Sequence, residues 1–226
     1  MNAPRQNTTT CRRCGTCCRK GGPALHLKDR ELVASGVIPL ASLFTIRRRE
    51  PAFDNVTGRV EPAPTDIIKV KPSGRGLSAC FYYRQQPVSC AIYAQRPMEC
   101  RVMQCWDTRE IEAVYRHDRL TREHLLAGHA GIWDLVVEHH GRCDYDAMAG
   151  LAARLEKVPD DPAAVDALLS MLRYDQSLRE TVGEQAGLAP DLFDFLFGRP
   201  MTVTLALFNL KLVKGSSPGQ YQIQPI

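Results

Sequence analysis

The sequence predicts a mostly α-helical protein whose N-terminal part is irregular, loop-rich and organised by metal, with short strands possible there, followed by a helical C-terminal part. Three observations point to this class. Eight of the nine cysteines crowd into residues 11–105 of 226, net charge changes sign near residue 120, and apolar residues recur at helical spacing mainly beyond that point. The expected organisation is a disordered N-terminus at 1–10, a cysteine-cluster domain at 11–115, a helical domain at 116–214 and a frayed tail at 215–226.

In the first half, "LKDRELVASG" reads as one short helix ending at Gly36, and Pro39 suits the start of another turn. From "TIRRRE" onward the chain is rich in Pro, Gly, Asn and Thr, with "DIIKVK" alternating as an edge strand does. Few large apolar residues remain to build a core. A domain of this size and composition needs staples. The second half is patterned differently. Leu125, Ile132, Trp133 and Val136 share one face of a helix expected to run to Gly141, a second helix begins near Tyr145, and a third is capped by Asp161 and opened by Pro162. "APDLFDFLFGRP" predicts a shorter helix, whereas "MTVTLALFNLKLVK" fits a strand or a short helix equally.

The cysteines carry the chemistry. "CRRCGTCC" sets Cys11, Cys14 and Cys17 at two-residue gaps, which lets a tight turn aim thiolates at a common point, and Gly15 permits positive φ in that turn. Cys18 adjoins Cys17 and cannot easily serve the same metal, which suggests a second site or a bridging thiolate. Cys80, Cys90, Cys100 and Cys105 follow within 26 residues, so eight thiols divide into two four-coordinate sites. In "QRPMECR", Pro97 can start a helix near Cys100, and Arg96 and Arg101 flank it as thiolate-stabilising donors or as partners of Glu99. Residues 1–120 carry 20 Lys+Arg against 11 Asp+Glu, and the rest 9 against 14. Metal-bound thiolates offset much of that positive excess, so a nucleic-acid surface is disfavoured.

These residues resemble the CxxCxxCC, or YkgJ-type, cysteine-cluster family, described as zinc- or iron-chelating and related to the cysteine-rich part of flagellin lysine N-methylases. The resemblance rests on Cys11, Cys14, Gly15, Cys17 and Cys18, then Cys80, then Cys90, Tyr93, Arg96, Pro97, Cys100 and Arg101 in "CAIYAQRPMECR". It implies metal binding and leaves the helical half unassigned. Zinc patterns usually pair cysteines in two separate two-residue gaps, whereas one triple followed by remote singles favours an iron–sulfur cluster of the four-iron four-sulfur kind over Zn2+.

Enzyme signatures are sparse. "SGRGLS" lacks the strand and helix of a dinucleotide-type glycine turn, a radical-type cluster lacks its third cysteine at Gly21, and neither HExxH nor GxSxG occurs. "HHGRC" reads as histidines in a last helical turn beside a free Cys143. The expected function is metal binding, possessing a redox duty with an unknown protein or redox partner. A zinc-stabilised interaction module that contacts nucleic acid through "TIRRRE" and a methylase-related protein-modification component are the alternatives. No apolar run suits a signal peptide or a membrane span, so a cytoplasmic location is expected.

Overall fold

The computed structural model describes residues 11–74, 78–215 and 221–226. The expected disorder of 1–10, the middle of "SGRGLS" and part of the tail lie outside the described residues. Within them the fold is mixed α/β, with ten α-helices and eight short strands.

In chain order, α1 (Thr16–Arg19) and α2 (Arg30–Ala34) precede β1 (Leu43–Ile46), β2 (Pro51–Asp54), β3 (Arg59–Pro62) and β4 (Ile67–Val70). The strands β5 (Tyr83–Arg84) and β6 (Ser89–Cys90) lead to α3 (Met98–Val102), α4 (Arg109–Val114), α5 (Arg122–Leu126) and α6 (Ala130–Arg142). The rest comprises α7 (Tyr145–Lys157), α8 (Pro162–Gln185), α9 (Phe193–Leu196), α10 (Met201–Thr204), β7 (Leu210–Lys214) and β8 (Tyr221–Pro225).

The chain forms two compact units, and neither is continuous. One comprises residues 1–43 and 68–120, the other 44–67 and 121–226. This differs from the single boundary expected near 115: the segment around "TIRRRE" groups with the helices because its polar residues are committed there. Arg47 and Glu50 are fully buried, the Arg47 guanidinium lies 4.4 Å over the Tyr145 ring, and Arg49 pairs with Asp146 at 2.8 Å. Arg48 is exposed, and its backbone N–H donates to Asp66 Oδ1 at 3.1 Å.

The first unit has a small apolar core of Leu25, Ile38, Leu43, Ile68, Val70 and Leu120. Ile68 and Val70 alternate inward along β4, as "DIIKVK" predicts. Leu25 N donates to Ile68 O and Leu120 N to Leu25 O, so three distant segments share one backbone network. The antiparallel β5–β6 hairpin sets Tyr83 opposite Cys90.

The second unit packs α7 and α8 around Met148, Leu155, Leu168, Leu172 and Tyr145. Asp144 caps α7 and Asp161 caps α8, each side chain accepting from a backbone N–H three residues on. The single helix expected over 125–141 is two helices, α5 and α6, with low-propensity Gly128 at the break. Gly141 does not stop α6, since the Asp144 cap two residues past its end decides where the chain turns. The ambiguous segment is helix first and strand second. Asn209 adopts the left-handed conformation (φ 57°) and reverses the chain into β7. Residues 221–225 of the expected tail form β8, paired antiparallel with β7 through Leu212 and Ile223. No helix among the described residues is long and apolar enough to cross a membrane.

Candidate metal centre

The opening cysteine motif turns at Gly15, where the sequence expects positive φ. Gly15 has φ 72° and heads α1; a Cβ there would stand 2.5 Å from the Tyr83 ring, so glycine is required by conformation and by space. The turn of α1 carries Cys17 and Cys18, whose sulfurs stand 4.0 Å apart. The adjacent pair, for which a second site or a bridging thiolate is expected, thus shares one turn of helix. Cys14 Sγ lies 3.2 Å from the Thr16 hydroxyl, and Cys11 Sγ accepts from Arg13 N at 3.4 Å.

The later cysteines reach this turn through backbone and side-chain ties. Cys80 N donates to Cys18 O at 2.7 Å, and Ser78 Oγ donates to Arg19 O at 2.8 Å. Arg19 donates to Cys14 O and to the Tyr83 hydroxyl, pinning the loop on the β5–β6 hairpin that carries Cys90. Cys100 sits in α3, entered through Pro97.

Electrostatics shows which thiols meet. The hydrogen bond from Cys18 holds the Cys17 thiol down at about 6, while the same contact pushes Cys18 far up, so the two share one proton. Burial raises Cys100 and Cys80, and each is raised further by neighbouring thiolates, Cys80, Cys17 and Cys90 acting on Cys100. The hydrogen bond from Thr16 lowers Cys14. Thus Cys17, Cys18, Cys80 and Cys100 lie within electrostatic reach of one another and Cys90 within reach of Cys80 and Cys100, with Cys14 beside Cys17 and Cys11 facing the same cleft as Cys100. Cys105 is exposed and outside these mutual interactions among the described residues. All nine cysteines are thiols. Thiols so crowded repel once ionised, and a cation of charge 2+ or more relieves that repulsion. The donor set therefore fits a thiophilic metal.

The charges around it are fixed by buried ties. Glu99, next to Cys100, accepts from Ala24 N (2.7 Å) and Arg119 Nη1 (2.8 Å) and contacts His26 Nε2 (3.3 Å). Burial pushes its carboxyl up, but the His26 hydrogen bond, Arg119 and Lys69 outweigh this and hold it below the usual range. Glu99 therefore partners His26 and Arg119, not the flanking Arg96 or Arg101. Burial also lowers Lys69, whose charge faces Cys100 and Cys80.

"HHGRC" is only half a motif. His139 and Cys143 gather with Asp175 so that their donor atoms lie within 4.8 Å, all buried. Asp175 breaks the apolar register that Leu168 and Leu172 set along α8, and that misplaced charge was the readable signal for it. Its carboxylate already accepts from His139 Nε2 (2.7 Å), Arg179 Nε (2.9 Å) and Met201 N (2.9 Å). With its acceptors occupied and the positive charges of Arg47 and Arg179 nearby, the group serves as an internal tie.

No curated protein and no solved structure matches the chain. A family model does, over residues 10–119, the span that carries every converging thiol. Over that span the chain is similar to the CxxCxxCC family, whose description is "putative zinc- or iron-chelating domain".

Proposed function

We propose that the first unit holds a polynuclear metal centre, an iron–sulfur cluster bound by thiolates drawn from Cys11, Cys14, Cys17, Cys18, Cys80, Cys90 and Cys100, and that its duty is redox or cluster-dependent. One observation supports this reading: five thiols from four stretches of chain form one connected electrostatic network, Cys17, Cys18, Cys80 and Cys100 reaching one another and Cys90 reaching Cys80 and Cys100. A single tetrahedral zinc takes four thiolates, so five or more at one place favour a centre with more than one metal. Three cysteines close in sequence with a remote fourth is also a familiar cubane arrangement. Such a group would supply one-electron chemistry. The chain's own part is to present the sulfurs, to hold Lys69 and Arg96 as positive charge beside them, and to keep Glu99 neutralised by His26 and Arg119.

The test is purification of the full chain without oxygen, with iron, zinc and acid-labile sulfide measured on one sample alongside its visible spectrum. Iron with sulfide and a broad visible band is expected. Stoichiometric zinc without sulfide overturns the cluster and favours a zinc-stabilised interaction module. Absence of any metal overturns metal binding itself.

A further inference from the structure

Beside the thiols lies an open cleft of about 400 Å3. Cys11 and Cys100 face it, and its walls include Arg13, Arg96, Arg101, Tyr93, Met103 and Trp106. Among the described residues no acidic side chain lines it. The Arg13 and Arg96 guanidiniums lie 4.0 and 3.7 Å from the centre of the Tyr93 ring, which fixes their planes by cation–π contact while using none of their N–H donors. Arg96 Nε is buried with no hydrogen-bond partner. Arg101 reaches Asp29 only at 3.6 Å, and the Asp29 carboxylate already accepts from Met98 N (2.8 Å) and His26 N (3.0 Å). Three guanidiniums thus meet at one cleft with their forks largely uncommitted. Such forks match the two oxygens of a carboxylate or phosphate. Trp106, 40% exposed, and Met103 add an apolar wall that an inorganic ion has no use for.

We propose that this cleft binds a small organic carboxylate, its anionic group on Arg13, Arg96 and Arg101 and its apolar body against Trp106 and Met103, which would set the ligand beside the metal centre. The proposal rests on the metal reading for that last placement alone. Its consequence is that the arginines do more than balance thiolate charge.

Calorimetric titration of the full-length, metal-loaded protein with benzoate tests this, with benzylamine and inorganic phosphate as comparators and metal content measured on the same sample. Saturable benzoate binding without benzylamine binding is expected. Arg101→Gln should weaken it about tenfold, the loss of a charge-assisted hydrogen-bond pair. Trp106→Ala, a change at the exposed wall, should weaken benzoate while leaving phosphate unaffected. Phosphate binding as tight as benzoate overturns the organic class. Absence of saturable benzoate binding on protein with its full metal complement overturns the cleft and leaves the metal reading standing. Protein without metal overturns that reading, whatever benzoate does.

Discussion

The two units solve the same problem with different materials. In the second, two helices of 13 and 24 residues bury an apolar face, and the buried Asp175 carboxylate is held by three hydrogen bonds. In the first, no helix among the described residues exceeds six residues and the apolar core is small. What gathers there instead is a set of thiols whose pKa values are pushed apart by the Cys17–Cys18 contact and, at Cys100, by burial and then by neighbouring thiolates. A core of hydrocarbon stabilises without a ligand. A core of thiols is complete only with a cation, so the binding energy of the metal is also folding energy.

The strongest way to break this contrast is to remove the metal. Structural sites of this kind contribute on the order of 10 kcal/mol, so chelation should expose residues 11–43 and 68–120 to hydrogen exchange. Residues 44–67 should stay protected with 121–226, because they belong to the second unit. Uniform protection of the first unit after verified metal loss would sink the idea.

Single thiols sharpen it next. Cys18→Ser and Cys80→Ser replace a soft, ionisable donor at the junction of the two motifs, so metal content should fall and the first unit should lose several kcal/mol in a urea titration. Cys143→Ser should leave metal content unchanged, its thiol being buried in the other unit and raised by that burial to about 12. Cys105→Ser is expected to cost less metal than either of the first pair. An equal loss would add Cys105 to the ligand set.

The second unit has a weakness of its own, towards acid. Burial lowers His139 to about 4 from an ordinary 6.5 despite the Asp175 hydrogen bond, so it is neutral when folded. The unfolded chain takes up that proton first as pH falls. Stability is therefore full above about pH 6.5 and declines towards pH 4 by about 3 kcal/mol. The lowered carboxyl of Asp175, buried but held by His139 and Arg179, adds a further loss below its ordinary value. Denaturant midpoints of the second unit across this range measure the slope, and a flat profile would mean that His139 keeps its ordinary pKa in the fold. The smallest effect is expected at Gly15. Gly15→Ala meets the left-handed penalty of about 1–2 kcal/mol plus displacement of Tyr83, and should speed metal loss to a chelator without abolishing loading.

The sequence by itself determined what depends on near neighbours along the chain. The positive φ of Gly15, the caps at Asp161 and Pro97 and the α8 register follow from local sterics and hydrogen bonds. Tertiary structure alone decided the rest. It assigned 44–67 to the helices through buried Arg47 and Glu50, paired β8 with β7 in a segment of weak pattern, gave Glu99 to His26 and Arg119, and joined Asp175 to His139 across 36 residues. The physical reason is common to all four. A charge or an unpaired backbone group costs too much to bury alone, and which partner satisfies it depends on how distant segments pack, which no local spacing encodes.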